Sequence, residues 1–265
     1  FEQVAGTNTS ITSSVSTNTT SAITSNTVSD TVGNTDTTIR NVLISSSSES
    51  FMRSRNTGFS ASNLKPSTQF YQFLDGNSGV DFIPKLVEIS NSKTLENYGA
   101  SGAFSIGETV IGTYGGNDLI SFRVASPNHK YGKYNSPSTT YTVNPYVKSE
   151  TIPSEYSQSS KVLNIDIISL SEEAQGKYSG YLINGMQLVG QTSGSVAYVK
   201  DLRLISDNFG DLIGAFFIRD PNSIPTPTVR ISTGTKTFKL SSSSTNNPGL
   251  PGSSSTSSAE TNYNS

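Results

Sequence analysis

Between Asn63 and Gly76 the chain reads N-L-K-P-S-T-Q-F-Y-Q-F-L-D-G. Leu64 and Pro66 set a turn, Thr68 to Leu74 form a β-branched and aromatic run suited to a buried strand, and Asp75-Gly76 stops it. The same grammar recurs nearby. Asn41–Ser45 and Val80–Ile83 are strand-forming runs, and after the Pro84 break Lys85–Ile89 continues as another. Turn signals return roughly every 8–12 residues, the spacing of a β-sandwich. Only 32% of the 265 residues are hydrophobic and 14% are charged, the rest being largely Ser, Thr, Asn and Gly. That mixture fits short strands and loops, because helical bundles need Ala, Leu, Glu and Lys. Twelve Tyr and twelve Phe supply the bulky apolar surface that Leu would otherwise provide.

The balance of 18 basic and 20 acidic residues, a net charge of −2, includes no basic block, which argues against nucleic-acid binding. The most apolar stretch, Leu212 to Ile218, is long enough for a strand but not for a membrane-spanning helix. No cysteine is present, so a disulfide-stapled mini-domain, a cysteine zinc site and thiol chemistry are excluded. Phe1 without an initiator Met and the unclosed ending Asn262-Tyr263-Asn264-Ser265 read as a processed portion of a longer polypeptide.

Residues 1–40 are a Ser/Thr/Asn tract carrying isolated aliphatics, among them Val4, Ile11, Val15, Val28, Val32 and Ile39. Their spacing echoes a seven-residue repeat, but the surrounding residues are poor helix formers. The tract reads either as an extended linker or as an oligomeric stalk, helical or β; one chain alone cannot bury such scattered aliphatics. The Ser45–Ser50 run reads as a loop. Farther on, Gly115-Gly116-Asn117-Asp118 predicts a tight hairpin between Gly107–Thr113 and Leu119–Val124. A second copy of that rhythm runs from Gly185 to Val199, with Gly185 and Gly190 matching Gly107 and Gly112. Val162–Ile168 reads as a strand, and Ser171–Gln175 as one helical turn capped by Ser171. Leu212–Arg219, Thr228–Ile231 and Thr235–Leu240 return to sandwich-like strands, and from Ser241 the chain reads as an extended connector.

Chemistry is sparse. His129 is the only histidine, it sits in a turn-like setting, and no G-x-S-x-G elbow supplies a nucleophile. Asp75, Asp81, Glu108, Asp166, Glu172, Glu173, Asp207 and Asp211 are the carboxylates a glycosidase could use, but most fall at turn corners or strand ends. Asp207-Asn208-Phe209-Gly210-Asp211 reads as a tight turn, lacking the ligand alternation of a calcium loop. The expectation is a non-enzyme with no catalytic residue, cofactor or metal. Arg53 and Arg55, alternating along a strand, are candidate interface contacts; Tyr131, Tyr134 and Tyr141 are candidate exposed rings for stacking on glycan.

F-M-R-S-R (Phe51–Arg55), G-F-S-A-S-N-L-K-P-S-T-Q-F-Y-Q-F-L-D-G (Gly58–Gly76), F-I-P-K-L (Phe82–Leu86), I-G-E-T-V-I-G (Ile106–Gly112) and G-M-Q-L-V-G-Q-T-S-G (Gly185–Gly194) form a set of separated motifs. With R-L-I-S-D-N-F-G-D-L-I-G-A-F-F-I (Arg203–Ile218), G-T-K-T-F-K-L-S-S-S (Gly234–Ser243) and T-S-S-A-E-T-N-Y (Thr256–Tyr263), the set spans about residues 41–263. It resembles modules of large virion structural proteins of contractile-tailed bacteriophages, cyanophage-like in character. The L-x-P-x-T-x-F-Y arrangement also resembles the tyrosine-corner region of fibronectin type III domains. The resemblance implies an all-β, immunoglobulin/fibronectin-like β-sandwich with an inserted small β-domain and extended Ser/Thr-rich termini. Its expected parts are 1–40 stalk or linker, 41–95 first half of the sandwich, 96–208 insertion, 209–242 second half and 243–265 connector.

It implies in turn a non-enzymatic baseplate, tail-fibre or fibre-attachment component of the virion tail, assembled in the host cytoplasm. The expected partners are further copies of the chain, a homotrimer favoured, and other tail proteins, with no nucleic acid and no membrane insertion. The alternative is a receptor- or carbohydrate-binding module that meets a host surface glycan during attachment.

Overall fold

The computed structural model describes residues 19–28, 38–48, 51–52, 54–171, 177–222, 227, 229–246 and 256–264. The protein is all-β: its described elements are antiparallel strands apart from the five-residue helix Ile167–Ser171. Two compact units result. One comprises Phe1–Met52, Arg230–Thr235 and Asn264–Ser265; the other comprises Arg53–Val229 and Lys236–Tyr263.

In the first unit Thr19–Val28 pairs antiparallel with Thr38–Ser48, from Thr19 opposite Ser48 to Val28 opposite Thr38, with a register shift at Ala22/Ile23. The described part of the N-terminal tract is thus strand, not helix, as Ser, Thr and β-branched residues favour. The pairing also draws in Ser45–Ser48, expected as loop.

The second unit holds three larger sheets. Leu212–Ile218, buried along its whole length, lies between Arg55–Ala61 and Asp81–Pro84. A continuous apolar run of this kind suits a strand covered on both faces. A four-stranded sheet has the order Leu204–Ile205, Gln69–Leu74, Thr235–Ser241, Ser258–Asn264. Phe238 of this sheet meets Phe216 at 5.0 Å and Phe59 at 4.8 Å between ring centroids, so aromatic rings join the two sheets. The residues after Ser241 do not all remain a connector: Tyr263 packs edge-on against Phe216 at 5.4 Å, anchoring the last strand.

The opening corner folds as its residues dictate. Asp75 and Gly76 have φ of 53° and 80°, and Leu74 and Asn77 exchange backbone hydrogen bonds of 2.9 and 3.0 Å across them. Positive φ at both central positions is what Asp-Gly accommodates in a tight hairpin turn. Leu74 lies opposite Phe238.

The third sheet has seven strands in the order Val162–Asn164, Leu86–Ser90, Val196–Asp201, Gln187–Gly190, Thr109–Tyr114, Asn117–Arg123, Ser179–Gly180. The two glycine hairpins are neighbours in it, their inner strands antiparallel with Gly112 opposite Leu188. Glu108 is buried and fixes the second hairpin's loop, accepting from the backbone amides of Thr192 (3.0 Å) and Ser193 (2.9 Å). Val110, Phe122, Leu163, Met186 and Leu188 form a core that extends to Ile83 and Ala215 of the three-stranded sheet. Strand pairing crosses the expected 95/96 and 208/209 divisions. Leu86–Ser90 joins the strands of the expected insertion, whereas Leu204–Ile205 pairs with Gln69–Leu74. The side chain of Asn56 ties two sheets together, donating to the Gly180 carbonyl (2.8 Å) and accepting from its amide (3.0 Å). A Cβ on Gly180, at φ +123°, would lie 2.0 Å from the Leu119 carbonyl oxygen, so only glycine permits this approach.

A helical turn forms at Ile167–Ser171, where the sequence suggested the end of a strand. Ser169 turns back on the Asp166 carbonyl, its amide at 3.1 Å and its hydroxyl at 2.6 Å. The strand before it therefore stops at Asn164. Residues 172–176, most of the expected turn, lie outside the described residues.

Candidate functional site

The chemically richest region forms around the His129–Lys133 strand, which pairs with Ser136–Thr140 in a small hairpin. Gly132, inside the first strand with φ +96°, lies opposite Pro137 where the register shifts, and a Cβ there would lie 2.6 Å from the Ser138 amide nitrogen. Asn164, wholly buried, holds the incoming loop by donating to the Pro127 carbonyl (3.0 Å) and the His129 carbonyl (2.7 Å).

Lys130 lies buried with its ammonium 2.6 Å from both Asp207 Oδ2 and Asp211 Oδ2. Burial disfavours its charge, but hydrogen bonds to the two carboxylates outweigh that and raise its pKa above the ordinary lysine value. Three rings surround the same ammonium: Phe209 at 5.4 Å, Tyr131 at 5.7 Å and Tyr141 at 5.9 Å to the centroid. These distances are within the range of cation–π attraction. Asp207 also organises its own turn, accepting through Oδ1 from the amides of Phe209 (2.8 Å) and Asp211 (2.9 Å).

Beside this cluster opens a cleft of about 280 Å³ whose walls include Phe59, Lys85, His129, Tyr131, Asp166 and Ile168. Lys85 is 3% exposed and donates to the Ile165 carbonyl at 3.1 Å. Burial lowers its pKa from 10.5 to about 7, with the nearby Asp166 charge opposing only in part. Asp166 is itself gripped by Arg123, through Nε at 2.8 Å and a terminal nitrogen at 2.6 Å. His129 is 2% exposed; its Nε2 faces the Gly132 carbonyl at 3.0 Å, and its Nδ1 has no hydrogen-bond partner. Burial, then the Lys85 charge, lower its pKa, favouring the neutral ring. A carbonyl can only accept, so Nε2 carries the hydrogen and Nδ1 presents a lone pair.

The candidate contact residues separate on this framework. Tyr131 is 38% exposed. Tyr141 is not the exposed ring expected of it: at 7% exposure it packs with Leu86, Ile152 and Val162, and burial raises its hydroxyl pKa well above the usual tyrosine value. The chain after the small hairpin folds back over the sheet edge, which covers it. Tyr134 is half-buried under the Arg123 guanidinium, 4.3 Å from its ring. Arg55 is half-buried opposite Ile218, 5.9 Å from the Tyr263 ring, and Arg53 lies outside the described residues. Tyr131 and Tyr141 are thus brought together by Lys130, while Tyr134 and Arg55 have other partners.

Lys85 and Phe209 were not singled out by the sequence. Both carried a signal: a lone cation inside the apolar run F-I-P-K-L-V, and a large aromatic at the tip of a polar turn. Phe209 is 68% exposed. Among the described residues no group of three or more His, Asp or Glu is placed to hold a metal ion. No helix among them is long and apolar enough to cross a membrane. No family model, curated protein or solved structure matches this chain.

Proposed function

We propose that the chain is a non-enzymatic structural component of a phage tail, of baseplate, tail-fibre or fibre-attachment type. It would act in the virion by β-assembly with further copies of itself, a trimer favoured, and with neighbouring tail proteins. The separated motifs between residues 41 and 263 supply the phage-tail part of this reading. The assembly part is carried by one observation: among the described residues Thr19–Val28 and Thr38–Ser48, strands of 10 and 11 residues, pair only with each other. An isolated two-stranded ribbon is marginally stable in water, and its outer edges offer backbone groups to another strand. Further copies of the same hairpin satisfy both demands at once.

Sedimentation of the full chain over a concentration series tests this. The expected result is a reversible oligomer that Asn41→Pro shifts strongly toward monomer, because proline removes a backbone donor and stiffens the middle of the second strand. A full chain that stays monomeric at its highest soluble concentration would overturn the assembly reading.

A second reading, attachment to a surface glycan, is favoured by Tyr131 and Phe209. Both are exposed, and both rings lie within 6 Å of the Lys130 ammonium, which the Asp207 and Asp211 carboxylates also hold. Paired rings beside fixed acceptors suit stacking and hydrogen bonding to a sugar. On a glycan array, Tyr131→Ala and Phe209→Ala should each reduce binding on the order of tenfold, as for loss of one stacking ring. Absence of glycan binding by the unaltered chain would remove this reading and leave the assembly reading intact.

A further inference from the structure

The cleft beside the small hairpin has a composition that the assembly reading does not use. A fully buried lysine costs free energy unless something compensates it, and pairing with an opposite charge is the usual solution. Lys85 lacks that solution: its hydrogen bond runs to the Ile165 carbonyl, and the nearby Asp166 carboxylate is engaged by Arg123. Lys85 lines an open space of about 280 Å³ shared with His129, whose buried Nδ1 lone pair is unpartnered. Phe59, Ile167, Ile168 and Ile213 make the rest of that space largely apolar.

We propose that Lys85 is a reactive amine at which the cleft captures a small apolar aldehyde as an imine. The Nζ lone pair attacks the carbonyl carbon and the C–O π electrons move to oxygen, which takes up a proton. His129, which lines the same cleft with an unpartnered Nδ1 lone pair, would receive a proton from the nitrogen and return it to the departing oxygen. Loss of that oxygen as water leaves a C=N bond, so one amine and one aldehyde give one imine and one water. No oxidant or reductant is consumed. A neutral amine is required for the attack, and low-dielectric surroundings are how proteins keep a lysine neutral near pH 7. The apolar walls shelter the product from hydrolysis and select against hydrated, charged carbonyl compounds. Asp166 and Lys130 border the same space; each is held in its own ion pair, so neither competes for the carbonyl carbon.

The test uses the full chain with benzaldehyde and cyanoborohydride at pH 7.5, the adduct being mapped by peptide mass spectrometry. The hydride reduces the imine to a stable N-benzyl-lysine. Lys93 and Lys133, both exposed, are internal references. Lys85 is expected to label on the order of tenfold faster than either, since a far larger fraction of it is unprotonated. Ile168→Trp gives a second readout. Ile168 is 55% exposed and lines the cleft, so a larger ring there should block entry while leaving the core intact. Labelling of Lys85 should fall severalfold in that variant with the melting temperature unchanged. Labelling of Lys85 no faster than of the reference lysines, or only after denaturation, would overturn the proposal. Equal labelling with and without the tryptophan would overturn the cleft as its route.

Discussion

Asp207→Ala is expected to cost about 3–5 kcal/mol of folding stability, the range for stranding one partner of a buried ion pair. The residue has two separate attachments, and alanine removes both. Oδ2 meets the Lys130 ammonium at 2.6 Å, and both side chains are less than a tenth exposed. Oδ1 accepts from the amides of Phe209 and Asp211, closing the turn that leads into the Leu212–Ile218 strand. After the substitution Lys130 keeps only Asp211, which is 21% exposed and therefore solvated in part. Asp207→Asn separates the contributions, because its amide oxygen still caps the turn while the charge is gone; it should lose less than the alanine variant. Asp75→Asn is the control, since asparagine tolerates the positive φ of that turn and removes only the charge. The Asp75 contact with Lys236 is 3.1 Å long and the Asp75 side chain 50% exposed, so the loss should stay under about 1 kcal/mol. Urea unfolding at neutral pH checks the ranking through a lower midpoint at unchanged slope. Equal midpoints for Asp207→Ala and Asp75→Asn would show that the buried triad contributes no more than a surface pair.

The Asp207 turn also shows where sequence reasoning succeeds. Asp-Asn-Phe-Gly-Asp declares a turn because the forces that form it act over four residues, and the Asp207 amide indeed meets the Asp211 carbonyl at 2.8 Å. Asp75-Gly76 and Gly115-Gly116 were legible for the same reason, their φ values being positive as their residue types permit. The aromatic runs around Phe70, Phe216 and Phe238 announced strands; Gln69–Leu74 pairs with Thr235–Ser241, and Phe238 stacks on Phe216, as hydrophobic surface must be joined. What could not be read was partner choice among charges. Nothing within several residues of Lys130 hints that its counter-ions lie at 207 and 211. Nor does a tyrosine's sequence tell which strand will roof it, so Tyr141 looked as available as Tyr131 until the chain's return path covered it. Ile167-Ile168 suggested a continuing strand by β-branching, yet Ser169 bonding back to Asp166 turned the backbone into a helix. Local hydrogen bonding outweighed propensity there.

Lys85→Met is expected to stabilise the protein, and to do so most at neutral and acidic pH. The lysine's pKa falls from 10.5 in a solvated chain to about 7 in the fold because burial penalises its charge. Below about pH 7 both folded and unfolded chains carry the proton, and the folded state bears the full cost of the buried ammonium. Between pH 7 and 10.5 the unfolded chain binds a proton that the folded chain has released, so stability rises with pH through that window. Above it the amine is neutral in both states and the penalty is gone. A shift of this size corresponds to roughly 4–5 kcal/mol as an upper bound. Methionine fills nearly the same volume without a charge, losing only the bond to the Ile165 carbonyl, so its stability should lack this climb. The informative quantity is the difference between the two proteins, measured by urea unfolding at pH 6, 8 and 10. Contributions from distant tyrosines and the amino terminus cancel in it. Of the neighbours, burial pushes the His129 pKa below the usual histidine value, which favours its neutral ring in this range. The advantage of methionine should therefore be largest at pH 6 and shrink by several kcal/mol by pH 10. Parallel curves would mean that the folded protein keeps Lys85 protonated throughout, and a permanently protonated amine has no lone pair with which to attack a carbonyl.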